Sequence, residues 1–291
     1  MLDIRDERQM KGRPMDIEAG LRRPKIDVHT HVFRMENRAD EAASADQLVK
    51  AGEMLGITEF WTFSPIITGF GSIEEVREEN DTVLRAMRRH PDRIRGMCFV
   101  IPGHFKAALD EIDRCLDEGM IGIKLYNQYR LSDLVQWPVI ERAIERRVPI
   151  LMHAGFLPAR EDLDGQPNIS HGSDFRIASD RYPEAMLIHA HVGGGGDWER
   201  TIREMRGCSV NVFADVSGSN LDDGQVEFSV RELGAERVLF GTDGTMAGGV
   251  GKVLDATISD EERELIFRGN AERILDRQGK RPLAPGNKGD A

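Results

Sequence analysis

Cysteine is scarce in this chain: Cys98, Cys115 and Cys208 stand alone and far apart. An odd count without close spacing builds neither a disulfide framework nor a four-cysteine zinc cluster, and it fits a reducing compartment. Long apolar runs are missing too. No segment reaches the roughly 18 uninterrupted apolar residues of a membrane span, and the leader MLDIRDERQMKGRPMDIEAG lacks the apolar stretch of a secretory signal. A cytoplasmic protein without a membrane partner is therefore expected. Basic charge is also short: 39 Lys and Arg against 50 Asp and Glu leave a formal net charge of -11. Such a field repels phosphate backbones, so no nucleic-acid partner is expected, although a local basic pocket can still take an anionic small molecule.

What is present is a rhythm. Short apolar runs at residues 26–31, 57–63, 94–101, 121–126, 149–154, 185–192, 209–216 and 238–243 alternate with longer charged stretches. Helical periodicity marks residues 45–55, 73–89, 105–118, 138–147 and 198–205, each long enough to cross back over a sheet. Ser259 and Glu262 form a capping-box pattern that opens a closing helix running to Leu275. Eight βα repeats in a chain of 291 residues predict an α/β fold, a single-domain (β/α)8 TIM barrel. The expected layout is an N-terminal extension over residues 1–24, the barrel over 25–278 and a loose tail over 279–291. An open doubly wound sheet has the same rhythm, but no GxGxxG follows the first run.

That first run ends in His29-Thr30-His31 instead. Residues two apart on a strand leave the same face, so both imidazoles can reach one ion, and neutral imidazole is a favoured zinc ligand. Two buried, hydrogen-bonded core histidines would read identically. His153 ends the fifth run and, taken alone, suits a core position equally well. His189 and His191 repeat the two-residue spacing on the sixth run, just before a glycine run that suits close backbone approach to a ligand. Asp243, in VLFGTDG, would project a carboxylate at the mouth of the eighth strand or cap the following helix. Joint occurrence shifts the balance. These residues sit at the C-terminal ends of strands one, five, six and eight, where the side chains of a barrel meet and where its chemistry is done.

The segments KIDVHTHVF, PILMHAGF, LIHAHVGGGG and VLFGTDG, with the closing EERELIFRGNAERIL, resemble the amidohydrolase superfamily. The similarity is to its amidohydrolase-related metal-dependent hydrolases, the group that includes aminocarboxymuconate-semialdehyde decarboxylase. It spans residues 25–276 and is specific for the superfamily rather than for a substrate. The resemblance implies that His29, His31, His153 and Asp243 bind one divalent ion, with His191 as acid/base alongside Asp243. Three imidazoles and a carboxylate suit Zn2+, leaving a position for water. One zinc per chain is expected. In two-metal members a lysine on the fourth strand bridges the ions, so Lys124 in GIKL admits a binuclear site, or else holds a substrate carboxylate. His189 matches no required position and is read as a residue behind the ligands or in the core.

Arg34 and Phe33 after strand one, Trp61 and Phe63 on strand two, Tyr126, Asn127 and Arg130 after strand four, and Phe156 and His171 after strand five complete the candidate pocket. Aromatics with a few cations suit a planar, anionic small-molecule substrate. The leading expectation is a hydrolase that uses metal-activated water on an amide, lactone or ester. The alternative is a non-oxidative decarboxylase or C–C lyase acting on an aromatic or dienoic acid with the same site. Behind these stand a binuclear nuclease or phosphoesterase, disfavoured by the acidic charge, and a non-catalytic zinc-binding barrel. The long leader could also mediate a homo-oligomer.

Overall fold

The computed structural model describes residues 17–155, 165–192, 196–218 and 220–283. Eight parallel strands pair in the order β1 to β8: Lys25–His31, Ile57–Phe63, Ile94–Phe99, Gly122–Leu125, Ile150–Met152, Leu187–His189, Val212–Asp215 and Val238–Leu239. The ring closes where Val28 N donates to Phe240 O at 3.0 Å and Asp243 N donates to His29 O at 2.8 Å. This is the expected (β/α)8 barrel. Among the described residues no helix is long and apolar enough to cross a membrane.

The pleat sorts the strands' side chains into two layers. Phe60, Cys98, Ile123, Met152, Ala214 and Phe240 pack outward with helix residues in one large apolar cluster. Trp61, Met97, Leu151, Ile188, Phe213 and Leu239, one step along the same strands, belong to a second cluster in the barrel interior. The outer ring includes α1 (Ile17–Arg22), α2 (Arg38–Glu53), α3 (Ile73–Arg89), α4 (Lys106–Asp117), α5 (Trp137–Arg146), α6 (Gly172–Arg181), α7 (Trp198–Met205), α8 (Gln225–Leu233) and α9 (Met246–Asp255). The chain closes with α10 (Asp260–Glu264), a π-helical turn and α11 (Asn270–Arg277). The Ser259/Glu262 capping box is present, each side chain bonded to the other's backbone N–H.

Two expectations need correction. The late strands are much shorter than their apolar runs, β8 ending at Leu239. Residues 240–243 leave the ladder to reach the mouth as irregular backbone. The tail is also not loose where it is described: Leu283 N donates to Glu59 Oε2 at 2.6 Å, Lys280 Nζ to Met120 O at 3.1 Å, and Arg95 to Arg281 O. These polar contacts anchor the segment without any apolar periodicity.

Candidate active site

The polar side chains gather at the C-terminal ends of the strands. His29 and His31 leave β1 on the same face, as their spacing requires. A single oxygen, Asp243 Oδ1, lies 2.8 Å from His31 Nε2 and 3.5 Å from His29 Nε2. Close approach of the β8 exit to β1 depends on Gly241, where a Cβ would sit 2.9 Å from the His29 Cβ. His29, His191 and Asp243 offer ligand atoms that all lie within 4.8 Å of one another. His153 stands one ring further out, its Nδ1 3.0 Å from His191 Nε2.

Four non-glycine residues have positive φ among the described residues, and two of them, His191 at 59° and Asp243 at 50°, are in this cluster. Such conformations are strained and persist only where the surroundings enforce them. For His191 the enforcement is visible. Buried Asp215, at the end of β7, accepts from His191 N at 3.1 Å and from Ser217 N at 2.9 Å through Oδ1, while its Oδ2 lies 2.9 Å from His29 Nδ1. One carboxylate thus clamps the turned backbone of His191 and orients the ring of His29.

That turn separates two histidines that the spacing placed on one face. Ile188 and Ala190, the neighbours of His189, belong to the interior cluster. The pleat therefore sends His189 outward, where its ring lies 4.7 Å from Phe175 of α6. It does not join the cluster. His191 would follow it outward on a regular strand, and the positive φ brings its ring inward instead, 4.5 Å from the His29 ring.

Hydrogen bonds assign the tautomers. A carboxylate oxygen accepts, so His29 carries its proton on Nδ1 toward Asp215, and its buried Nε2, which has no hydrogen-bond partner among the described residues, presents a lone pair to the cluster. His153 does the same in mirror image. Its Nε2 donates to Gln166 Oε1 at 2.7 Å, an oxygen that also accepts from Asn127 Nδ2, which leaves Nδ1 as the lone-pair nitrogen facing His191 Nε2. An imidazole whose second nitrogen is held by an acceptor is the usual arrangement of a metal ligand. His191 differs: its Nδ1 lies 3.2 Å from the Ser217 hydroxyl, a group that can donate or accept. The donor set fits a divalent cation: the ligand atoms of His29, His191 and Asp243 converge, with His31 bonded to Asp243 and His153 against His191 at the edge of the group.

Electrostatics agree with a site built for positive charge. Burial, then the neighbouring Lys124, drives His29 well below the usual histidine range and His153 down to about 3. Burial followed by His29 and His153 does the same to His191, and burial holds His189 at about 4. Burial works to raise the Asp243 carboxyl, but the His31 hydrogen bond and the charges of His29, His31 and Lys124 outweigh it and hold it at about 2. Neutral imidazoles and an ionised carboxylate are the forms that ligate metals.

The remaining candidates divide. Phe63 packs against His29 at 5.1 Å and His31 at 4.6 Å, Phe33 stacks on His31, and Tyr126 stacks on His153 at 4.1 Å, its phenol pushed up to about 12 by burial and by Asp243. Lys124 Nζ is fully buried beside them, 4.4 Å above the Phe63 ring, and burial lowers it to about 7. Trp61 is not a pocket residue: it is fully buried in the interior layer and donates to Glu59 Oε1 at 2.9 Å. Arg34 turns away to α3, where it pairs with Glu78 and Glu79. Arg130 donates to Pro167 O at 3.4 Å, and His171 is the N-cap residue of α6, so both belong to the surrounding frame. Phe156 lies outside the described residues.

Sequence reading missed Asp215, Ser217 and Gln166. Asp215 carried a signal, since it ends the seventh apolar run in VFADVSG as His153 ends the fifth. Gln166 carried none, because it meets His153 only through the loop's path.

A barrel with convergent imidazoles and a carboxylate at its C-terminal mouth defines a class of metal-dependent enzymes. The amidohydrolase family model matches residues 26–277, and the chain belongs to that family. Among curated relatives it is 24% identical over 243 residues to 2-keto-4-carboxy-3-hexenedioate hydratase of Sphingobium sp. (strain NBRC 103272 / SYK-6), a match covering 68% of this chain and 70% of the relative. It is 24% identical over 250 residues to gamma-resorcylate decarboxylase of Polaromonas sp. (strain JS666 / ATCC BAA-500), covering 69% and 76%. Among solved structures, 2,6-dihydroxybenzoate decarboxylase complexed with 2,6-dihydroxybenzoate superposes with a TM-score of 0.69 at 18% identity, over 86% of this chain and 98% of the other. A dihydroxybenzoic acid decarboxylase from Polaromonas sp. JS666, with bound manganese and the inhibitor 2-nitroresorcinol, superposes with a TM-score of 0.66 at 20% identity, over 86% and 96%.

Proposed function

We propose that this chain is a metal-dependent lyase that removes CO2, without oxidation, from a small planar carboxylic acid. The observation that carries this reading is the cluster of His29, His31, His153, His191 and Asp243, in a chain whose curated relatives are a decarboxylase and a hydratase. Both are lyases of carboxylated substrates, so the lyase reading gains over the hydrolase expected from the sequence.

His29, His31, His153 and Asp243 would hold one divalent ion per chain, which when bound supplies Lewis acidity toward substrate oxygens. The two imidazoles held by Asp215 and Gln166 are the pre-oriented ligands. Zinc was the expectation from donor type. The manganese of the Polaromonas structure makes manganese an equal candidate. His191 carries the proton. Its neutral ring, next to an amphoteric hydroxyl, takes up a proton and delivers it to the carbon that loses its carboxyl group, where the electron pair of the broken C–C bond remains. Phe63 and Tyr126, packed against His31 and His153, wall the cluster with apolar surface and keep water from the reacting carbon.

The test is a substrate panel with manganese- and zinc-loaded protein, comparing hydroxybenzoates and conjugated polycarboxylic acids with lactones, amides and esters. CO2 release from an acid is the expected result. Turnover confined to lactones, amides or esters returns the assignment to a hydrolase, and hydration of a double bond without CO2 release moves it to the hydratase side of the lyases.

A further inference from the structure

We propose that Lys124 is the receptor for a substrate carboxylate, so that the site selects acids over neutral molecules of the same shape. This rests on the lyase reading, which it sharpens. The end of β4 places the Lys124 ammonium 4.4 Å above the Phe63 ring and 5.8 Å from the Tyr126 ring. Phe63 touches both histidines of β1, and Tyr126 stacks on His153. The charge therefore lies between the two rings that flank the ligand cluster.

Its environment is incomplete. The side chain is fully buried, and Nζ has no hydrogen-bond partner among the described residues. Ammonium groups elsewhere in the chain are treated differently: Lys25 Nζ donates to the carbonyls of Gly20, Leu21 and Arg23, and Lys252 Nζ to those of Val216, Gly218 and Asn220. The carboxylates nearest Lys124 are committed elsewhere, Asp243 to His31 and Asp215 to His29, His191 and Ser217. A buried, unpaired ammonium is costly, and an arriving carboxylate supplies both the countercharge and the missing acceptors. A neutral ligand leaves that cost in place, which is how a buried polar group enforces selection. A bridge between two ions would require a second donor group. Among the described residues one convergent donor group is found, that of His29, His191 and Asp243.

The experiment uses full-length, metal-loaded protein titrated calorimetrically with 2,6-dihydroxybenzoate and with resorcinol, the same ring without the carboxylate. The wild type is expected to bind the acid at least tenfold more tightly. Lys124→Met should remove that preference while leaving resorcinol affinity within twofold and metal content unchanged, and Lys124→Arg should restore part of it. Equal wild-type affinity for the two probes overturns the proposal, as does an unchanged preference in Lys124→Met. Loss of one of two metals in that variant also overturns it, in favour of a bridging lysine. Should Lys124→Met fail to fold, Lys124→Gln and the wild-type ratio decide. The two readings fail separately. Acid binding through Lys124 without CO2 release or hydration removes the lyase reading alone, whereas CO2 release with an unchanged preference in Lys124→Met removes this one alone.

Discussion

Lys25 and Lys124 are both fully buried on strands of one barrel, at opposite ends of it. Lys25, at the start of β1, donates to three carbonyls at the end of α1 and its exit, and so ties that helix to the barrel floor. Lys124, at the finish of β4, has no such acceptors among the described residues. The same contrast runs through the neighbouring groups. At the floor Glu59 accepts from Trp61, Arg95 and Leu283 N, whereas at the mouth His29 Nε2 and His31 Nδ1 have no hydrogen-bond partner among the described residues. Polar groups at the floor are spent on holding the fold together. Those at the mouth are left free for a ligand, and strained backbone at His191 and Asp243 marks the same end.

If that division holds, substitutions at the mouth alter chemistry with little change in stability, and substitutions at the floor do the reverse. The largest effect is expected at His191: His191→Asn should lower turnover by roughly 10²–10⁴ with metal content and melting temperature nearly unchanged. Loss of metal in that variant, measured by elemental analysis, would make His191 a ligand and break the assignment. Asp215→Asn comes next. Without a full carboxylate to orient His29 and clamp His191, metal affinity should fall about 10–100-fold, a shift visible in metal titrations before any assay is run.

Lys25→Met tests the other end. Three carbonyls lose their donor, and unfolding in denaturant should show a loss of about 1–3 kcal/mol while kcat/KM stays put. A fall in kcat/KM larger than the fall in stability would mean that the two ends are coupled. The smallest effect is expected for Trp61→Phe, which removes the hydrogen bond to Glu59 at a cost of roughly 1 kcal/mol and should leave substrate affinity alone. A changed KM would return Trp61 to the pocket.

Much of this architecture was legible in advance because its causes are local. Short apolar runs between helix-periodic stretches located all eight strands, and residues 73–89 and 198–205 match α3 and α7 end to end. The His29/His31 pair, His153 and Asp243 were recognisable because strand ends in a barrel converge by construction. Arg34 and Trp61 misled for the opposite reason. Residue type suggests a pocket, but only neighbours decide direction: the carboxylates of α3 take Arg34, and the pleat turns Trp61 into the interior layer.

By itself, then, the sequence determined the repeat, the order of the strands and the residue types gathered at the barrel mouth, since periodicity and composition act over a few residues. Tertiary structure alone decided that His191 turns in while His189 turns out, because a positive φ on a non-glycine residue is enforced from another strand, here by Asp215. It also decided which buried lysine is answered and which is not. Hydrogen-bond partners of a buried charge come from wherever the chain returns, and for Lys124 the described residues bring two aromatic rings and no acceptor.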